Sequence, residues 1–321
     1  MNSKEEYRLF CGTEYRVPVY SLPWWLDAVC GDKGWEVILV KRKDRIVASF
    51  PYFVYQDKRM KCIGMPQLTQ KLGIYIKYPP NQNEMSRLSY EKDIMTEIIT
   101  RLPAYDFFCV NFDYCYTNWL PFYWHGFSQT TCYTYVIDHM SDVEVVYQNF
   151  DRSKKKNIKK AQELVEVGFD LPCEEFYRNH QMTLEKQGKK ISYSFDFFQR
   201  LYEAAYCEGA GRTIYAKDSE GHLHAALFVV WDRVSAFDLI STIDPDYRDS
   251  GASSLLIYEM MKFLSDKVER FDFEGSMIEG VENSFRKFGA NQKAYFKIFK
   301  RNTKRFIILK GLKDIWDGIR N

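Results

Sequence analysis

Apolar residues recur along this chain with two periods, and the alternation between them lays out a series of strands and helices. Residues 35–55, WEVILVKRKDRIVASFPYFVY, read as two strands joined by a polar turn at Lys43-Asp44. RMKCIGM and LGIYIKY read as further strands. Residues 83–101 suit a helix, with Ile94, Ile98 and Leu102 spaced by four. PWWLDAVC is a short helix with proline in its first turn. YDFFCVNF is a buried strand, TNWLPFYWHG a short helix and SQTTCYTYVID a strand.

The second half runs in a similar order. SDVEVVYQNF opens with Ser141 and Glu144 at capping-box spacing. A lysine-rich helix follows, then helical patterns at 174–187 and 195–208. RTIYAKDSEGHLHAALFVVWD is a strand, a polar turn and a strand, which puts His222 and His224 on the surface at the turn. SAFDLIST is the next strand, and the loop IDPDYRDSG leads into the helix ASSLLIYEMMKFL. RFDFEGS, IEGVENSFRKFG and ANQKAYFKIFK complete the series as strand, helix and strand. A shift of 163 residues lays FFCVNF over RFDFEGS and aligns Phe122 with Phe285, Gly126 with Gly289 and Gln129 with Gln292. The expectation is two related α/β (α+β) units in tandem, 1–138 and 139–302. The tail, 303–321, reads as an amphipathic helix. Ile308, Leu312, Ile315, Trp316 and Ile319 share one face, for packing onto the body or docking on a membrane or partner.

Composition narrows the class. The chain has 321 residues, enough for two domains, and a net charge of only +2, so no general field draws in DNA. The eight Cys form no C-x-x-C pair and show no zinc spacing, so they are expected to be reduced, small core residues, with no metal bound. MNSKEEYRLF lacks an apolar signal core, and no run approaches 18 apolar residues. The expected setting is cytoplasmic, with the inner face of the membrane as a second placement and no transmembrane segment.

Three stretches carry candidate chemistry. The first is the loop before ASSLLIYEMM. Unpaired amides in the first turn of a helix and its macrodipole attract an anion. Gly251 would let a phosphate approach, Ala252, Ser253 and Ser250 surround it, and Arg248 adds a fork of donors. The second is NFDRSKKKNIKKAQ, with five lysines and one arginine in fourteen residues. A helix starting near Ser153 would put Lys154, Lys155 and Lys156 at the end where cations are disfavoured. Lys156, Lys159 and Lys160 would then face away from Ile158, Ala161 and Val165. Such a face suits an anionic acceptor, or is simply solvated. The third is RFDFEGS, where strand alternation places Asp272 and Glu274 together as an orienter and a base for an amine nucleophile. The plainer role for Glu274 is an ion pair with Arg286 or Lys287.

The strand, R-x-x-G-A loop, helix, strand, helix, strand order resembles the core of the GNAT N-acetyltransferases. KKKNIKKAQELVEVGFDL is similar to the R-x-x-I-R-x-A-x-x-x-G-V stretch of the Fem peptidoglycan-bridge aminoacyltransferases, through Lys155 or Lys156, Ile158, Lys159 or Lys160, Ala161 and Gly168. FDFEGSMIEG with SFRKFGA is similar to that family's D-F-x-G and F-K-x-x-F-G signature, although Arg286 follows Phe285 where the family has Lys. Residues 278–289 contain no Tyr, the acid many acetyltransferases place there, and the first half has no R-x-x-G-A. The likeness spans about residues 20–300.

It implies two tandem GNAT-like domains, each a mixed, mostly antiparallel sheet flanked by helices, with the donor loop in the second. The implied donor is acetyl-CoA or another acyl-CoA, held by Arg248, Ser250, Gly251, Ala252 and Ser253. A backbone N–H around Ile240–Thr242 would steady the oxyanion and Glu274 would take the amine proton. Lys155, Lys156, Lys160 and Arg286 would orient an anionic, amine-bearing small molecule or envelope precursor in a cleft between the domains. The alternatives are a Fem-type aminoacyltransferase using charged tRNA and a non-catalytic binding protein of the same fold.

Overall fold

The computed structural model of the chain describes residues 1–275 and 277–303. The chain forms two compact units, one from Met1–Glu14, Tyr20–Cys132 and the chain from Ala294, the other from Tyr15–Val19 and Tyr133–Lys293. Elements of the first are α1 (Ser3–Thr13), α2 (Pro23–Cys30), β1 (Trp35–Arg42), β2 (Arg45–Asp57), β3 (Met60–Gly64), β4 (Tyr75–Ile76), α3 (Glu84–Thr100), β5 (Phe107–Asn111), α4 (Leu120–Trp124) and the start of β6 (Ser128–Ile137). The second holds α5 (Val143–Gln148), α6 (Arg152–Leu164), β7 (Glu166–Phe169), α7 (Cys173–Lys186), α8 (Phe195–Cys207), β8 (Gly211–Lys217), β9 (Leu223–Trp231), β10 (Ser235–Ile243), α9 (Ala252–Leu264), β11 (Arg270–Asp272), α10 (Glu279–Arg286) and the start of β12 (Asn291–Arg301). Both have mixed, mostly antiparallel sheets flanked by helices, the α/β class expected.

Pairing within the first unit runs β1–β2–β3–β5–β12, antiparallel except for β3 with β5. In the second it runs β6–β11–β10–β9–β8–β7, antiparallel except for β10 with β11. The matching is close: a parallel strand, a short helix, a glycine in the left-handed region (Gly126, φ +77°; Gly289, φ +71°), then a long strand. The last strands are exchanged. Residues 297–301 of β12 pair with β5, whereas Val136 and Ile137 of β6 pair with β11.

Local chemistry explains most boundaries. The β1–β2 turn needs φ of +49° at Lys43 and +61° at Asp44, the mirror-image turn whose twist matches a hairpin. β9 reads LHAALFVVW with little alternation because both its faces are covered. Leu227 and Val229 join the α9-side core, while Phe228 meets Phe176, Phe198 and Tyr202 of α7 and α8.

Several expectations change. LGIYIKY yields only the two-residue β4. The cap of α5 is Asp142, which accepts the Val145 amide at 3.1 Å, not Ser141; the shorter carboxylate spacing wins. Of the cysteines only Cys62 is buried, and Cys115 and Cys207 are exposed. His224 is buried, not at the surface, under a tyrosine supplied by a later loop. RFDFEGS is strand only to Asp272. The amphipathic tail lies outside the described residues beyond Thr303. No helix among the described residues is long and apolar enough to cross a membrane.

Candidate active site

β10 and β11 pair only from Ser235 to Phe237 against Arg270 to Asp272. Beyond that β10 runs on to Ile243 beside β9, whereas β11 stops. The edge of β10 is thus left without β11 as a partner, starting at a bulge between Asp238 and Ile240. Ile240 and Thr242 are buried along this stretch, and the Thr242 hydroxyl donates to Asn179 Oδ1 on α7.

The loop Pro245–Ser250 forms a 3-10 turn that delivers the chain to α9. Arg248 is exposed and makes no hydrogen bond or ion pair among the described residues. Ser250 is buried and its hydroxyl accepts the Ala252 amide at 3.2 Å, while the N-cap of α9 is Gly251. Ser253, half-buried, sits in the first turn. Gly251, with φ +82°, differs from expectation. A Cβ there would run into the Asn157 carbonyl of α6, so the missing side chain admits a helix backbone instead of a phosphate.

The lysine helix starts at Arg152 behind the Asp151 cap, and does not run on from α5. Asp151 accepts the Ser153 amide at 2.8 Å and sets its negative charge beside the run Lys154, Lys155 and Lys156. Lys156, Lys159 and Lys160 are exposed, and Ile158, Ala161 and Val165 buried, as the projection requires. Lys160, however, donates to the Asp249 carbonyl at 2.6 Å, which joins it to the donor loop. Lys155 donates to the Gln148 carbonyl at 2.8 Å. Arg286 pairs with Glu282 at 3.1 Å, and lines a cavity of about 360 Å³ with Asn149, Asp151, Asn283 and Lys287.

Lys154 is buried, its ammonium on Ser284 Oγ at 2.8 Å and over the Phe288 ring. Desolvation, helped by Lys287, pulls it down to about 8. The folded state therefore carries a penalty below that pH which eases as pH rises toward the ordinary lysine range. Lys154→Met should stabilise the fold at pH 7 by about 1–3 kcal/mol, with the gain shrinking by pH 10. Urea unfolding at the two pH values measures it; a loss of stability at pH 7 would show the charge to be favourable where it lies.

Glu274 sits past the end of β11 in the left-handed region, φ +61°, a conformation costing about 1–3 kcal/mol in a non-glycine residue. Its amide donates to Asp272 Oδ1 at 2.8 Å, and Asp272 also accepts the Thr134 hydroxyl. Asp272 thus fixes the bend of the backbone, and both carboxylates and both neighbouring phenylalanines are buried, so strand alternation fails here. Glu274 Oε1 is buried without a partner, and burial pushes the carboxyl well above the usual range. Arg286 and Lys287 are not its partners. Asp238, at the bulge, went unread in the sequence, although a lone carboxylate inside an apolar strand was the available signal. It is buried, accepts the Ser241 hydroxyl at 2.8 Å, and is pushed up to about 6.

A cavity of about 470 Å³ is lined by residues 138–141 and 268–270 at the start of β11, the opposite end from the splay. No group of three His, Cys, Asp or Glu among the described residues is placed to hold a metal.

Residues 148–286, which span the lysine helix, the splay and the loop, match the acetyltransferase (GNAT) domain family. The chain carries a GNAT acetyltransferase domain. It is an acyltransferase by that domain, with a Fem-like fold across both units. FemX superposes with a TM-score of 0.69 at 12% identity, over 92% of this chain and 96% of FemX. The C-terminal domain of a protein named as a lysylphosphatidylglycerol synthetase, from Agrobacterium fabrum, gives 0.55 at 11% identity, over 94% and 92%. L-PGS from Bacillus licheniformis gives 0.51 at 10%, over 82% and 83%. No curated protein matches the chain.

Proposed function

We propose that this GNAT domain moves an acyl group from acyl-CoA to an amine. The observation that carries the reading is the exposed, unpaired Arg248 between the open edge of β10 and the first turn of α9. A pyrophosphate there would receive the guanidinium fork and first-turn amides. The thioester would then lie along β10, where a backbone N–H near Ile240–Thr242 meets the developing oxyanion. The amine nitrogen forms the new bond to the acyl carbon, the C–S bond breaks, and the sulfur leaves as thiolate. Glu274, once ionised, takes the amine proton; burial raises its carboxyl and so makes its carboxylate a stronger base. The cations round the α6 N-terminus, Lys155, Lys156 and Arg286 with Lys287, suit an anionic acceptor.

Calorimetric titration of CoA and acetyl-CoA into the wild type and Arg248→Glu tests the donor. Micromolar binding that weakens at least tenfold in the variant is expected. No binding to the wild type would sink the acyl-CoA reading. The likeness to FemX over both units favours a second reading, with charged tRNA as the donor to the same site. Dependence of product formation on charged tRNA would decide for it.

A further inference from the structure

The loop before α9 is held from several sides, and one contact differs in kind from the others. Lys186 of α7 pairs with Asp244 at 2.6 Å and also with Asp246. Lys160 of α6 holds the Asp249 carbonyl, and the Asn157 backbone fills the space beside Gly251. These grip the two ends of the loop. Its middle is held by a ring face. Tyr247 stacks on His224 with centroids 4.1 Å apart and planes 13° apart, and on His222 at 5.6 Å and 23°.

Both imidazoles are set by one carboxylate in the β8–β9 turn. Asp218 Oδ2 accepts His224 Nε2–H at 3.1 Å and lies 3.0 Å from His222 Nδ1. Asp218 Oδ1 accepts the amides of Glu220 and His222 at 3.0 and 2.9 Å, which fixes the carboxylate in turn. The His224 carbonyl accepts the Asp244 amide at 3.0 Å, so the hairpin and the start of the loop are stitched together next to the stack. The Tyr247 hydroxyl makes no hydrogen bond among the described residues. What this residue supplies is its ring. Arg248 follows it directly.

We propose that Tyr247 is a positioning residue: its ring, seated on His224, sets the direction of Arg248 and of the first turn of α9 toward an anionic donor. The consequence for the donor rests on the reading of this loop given above; the clamp itself does not. Stacked rings cost little entropy to order and are sensitive to shape, so phenylalanine should serve where alanine fails. The lysine anchors at the two ends remain in either variant, so the domain should stay folded.

Hydrogen exchange and CoA titration on the full chain, for wild type, Tyr247→Ala and Tyr247→Phe, test this. Amides of residues 244–253 should exchange at least tenfold faster in Tyr247→Ala, with β8–β10 unchanged, and at the wild-type rate in Tyr247→Phe. CoA should bind Tyr247→Ala at least tenfold more weakly and Tyr247→Phe like the wild type. Unchanged loop exchange in Tyr247→Ala overturns the proposal. So does a loosened loop that binds CoA as tightly as before, or a phenylalanine variant that behaves like alanine. Failure of the wild type to bind CoA would remove the donor reading, while loop exchange still decides the clamp.

Discussion

Glu274→Gln is expected to be more stable than the wild type at pH 8 and to lose acyl transfer. Burial alone raises this carboxyl, and its Oε1 has no partner. In the unfolded chain it returns to an ordinary value of about 4.5. Below that pH both states are protonated and the native state has its full stability. Above it the unfolded chain releases the proton while the native state keeps it, so stability falls by about 1.4 kcal/mol per pH unit until the raised native value is reached. Glutamine carries no proton to release, so the variant lacks this slope. The difference between wild type and variant cancels every other titrating group, and urea unfolding from pH 5 upward should show a gap opening in the variant's favour and levelling off where the native carboxyl ionises. Parallel pH profiles for the two proteins would mean that Glu274 is satisfied by a group or water that the native state retains. The activity arm goes the other way. Loss of a general base typically lowers turnover about 10²–10⁴-fold, and the rising limb of the pH–rate profile should disappear with it. A variant that gains stability but keeps its rate would leave Glu274 as buried strain and pass the proton to another base, Asp238 being the nearest alternative in chemistry.

The contrast between these residues shows what local pattern can and cannot convey. The β1–β2 hairpin was legible because its turn residues and alternation act within a few positions. The faces of α6 were legible for the same reason: 3.6-residue periodicity separates Ile158 and Ala161 from Lys156 and Lys159. The partner of Lys160 was not, because Asp249 is 89 residues away. Glu274 looked like the end of an alternating strand, but the bend there is made by the Asp272 side chain and by Gly275, whose hydrogen faces the Tyr133 carbonyl of β6. His224 looked like a turn residue because its cover, Tyr247, comes from a different loop. The exchange of β6 and β12 is a property of register between distant strands, and no single segment encodes it.

Gly251→Ala should destabilise the second unit by about 2–5 kcal/mol, and the size of that loss would separate two reasons for a glycine at this position. The left-handed backbone, φ +82°, accounts for about 1–2 kcal/mol for any residue with a Cβ. The remainder comes from contact: a Cβ would press on the Asn157 carbonyl and lie 3.0 Å from its Cα, so α6 and α9 would have to move apart. Gly221 supplies the control, since it has φ +87° with nothing within 4 Å of a built Cβ. Gly221→Ala should therefore show the conformational part alone. Denaturant unfolding of both variants measures the difference. Equal losses would mean that the helices yield at no cost and that Gly251 is there for its backbone alone. A larger loss at Gly251 would tie the glycine of the R-x-x-G-A motif to helix packing. In that case Arg248 and the amides of α9 owe their position to α6, the same helix whose Lys160 holds the Asp249 carbonyl. The lysine-rich stretch and the loop would then be two halves of one support for the donor, which gives α6 a structural reason to lie there before any acceptor binds.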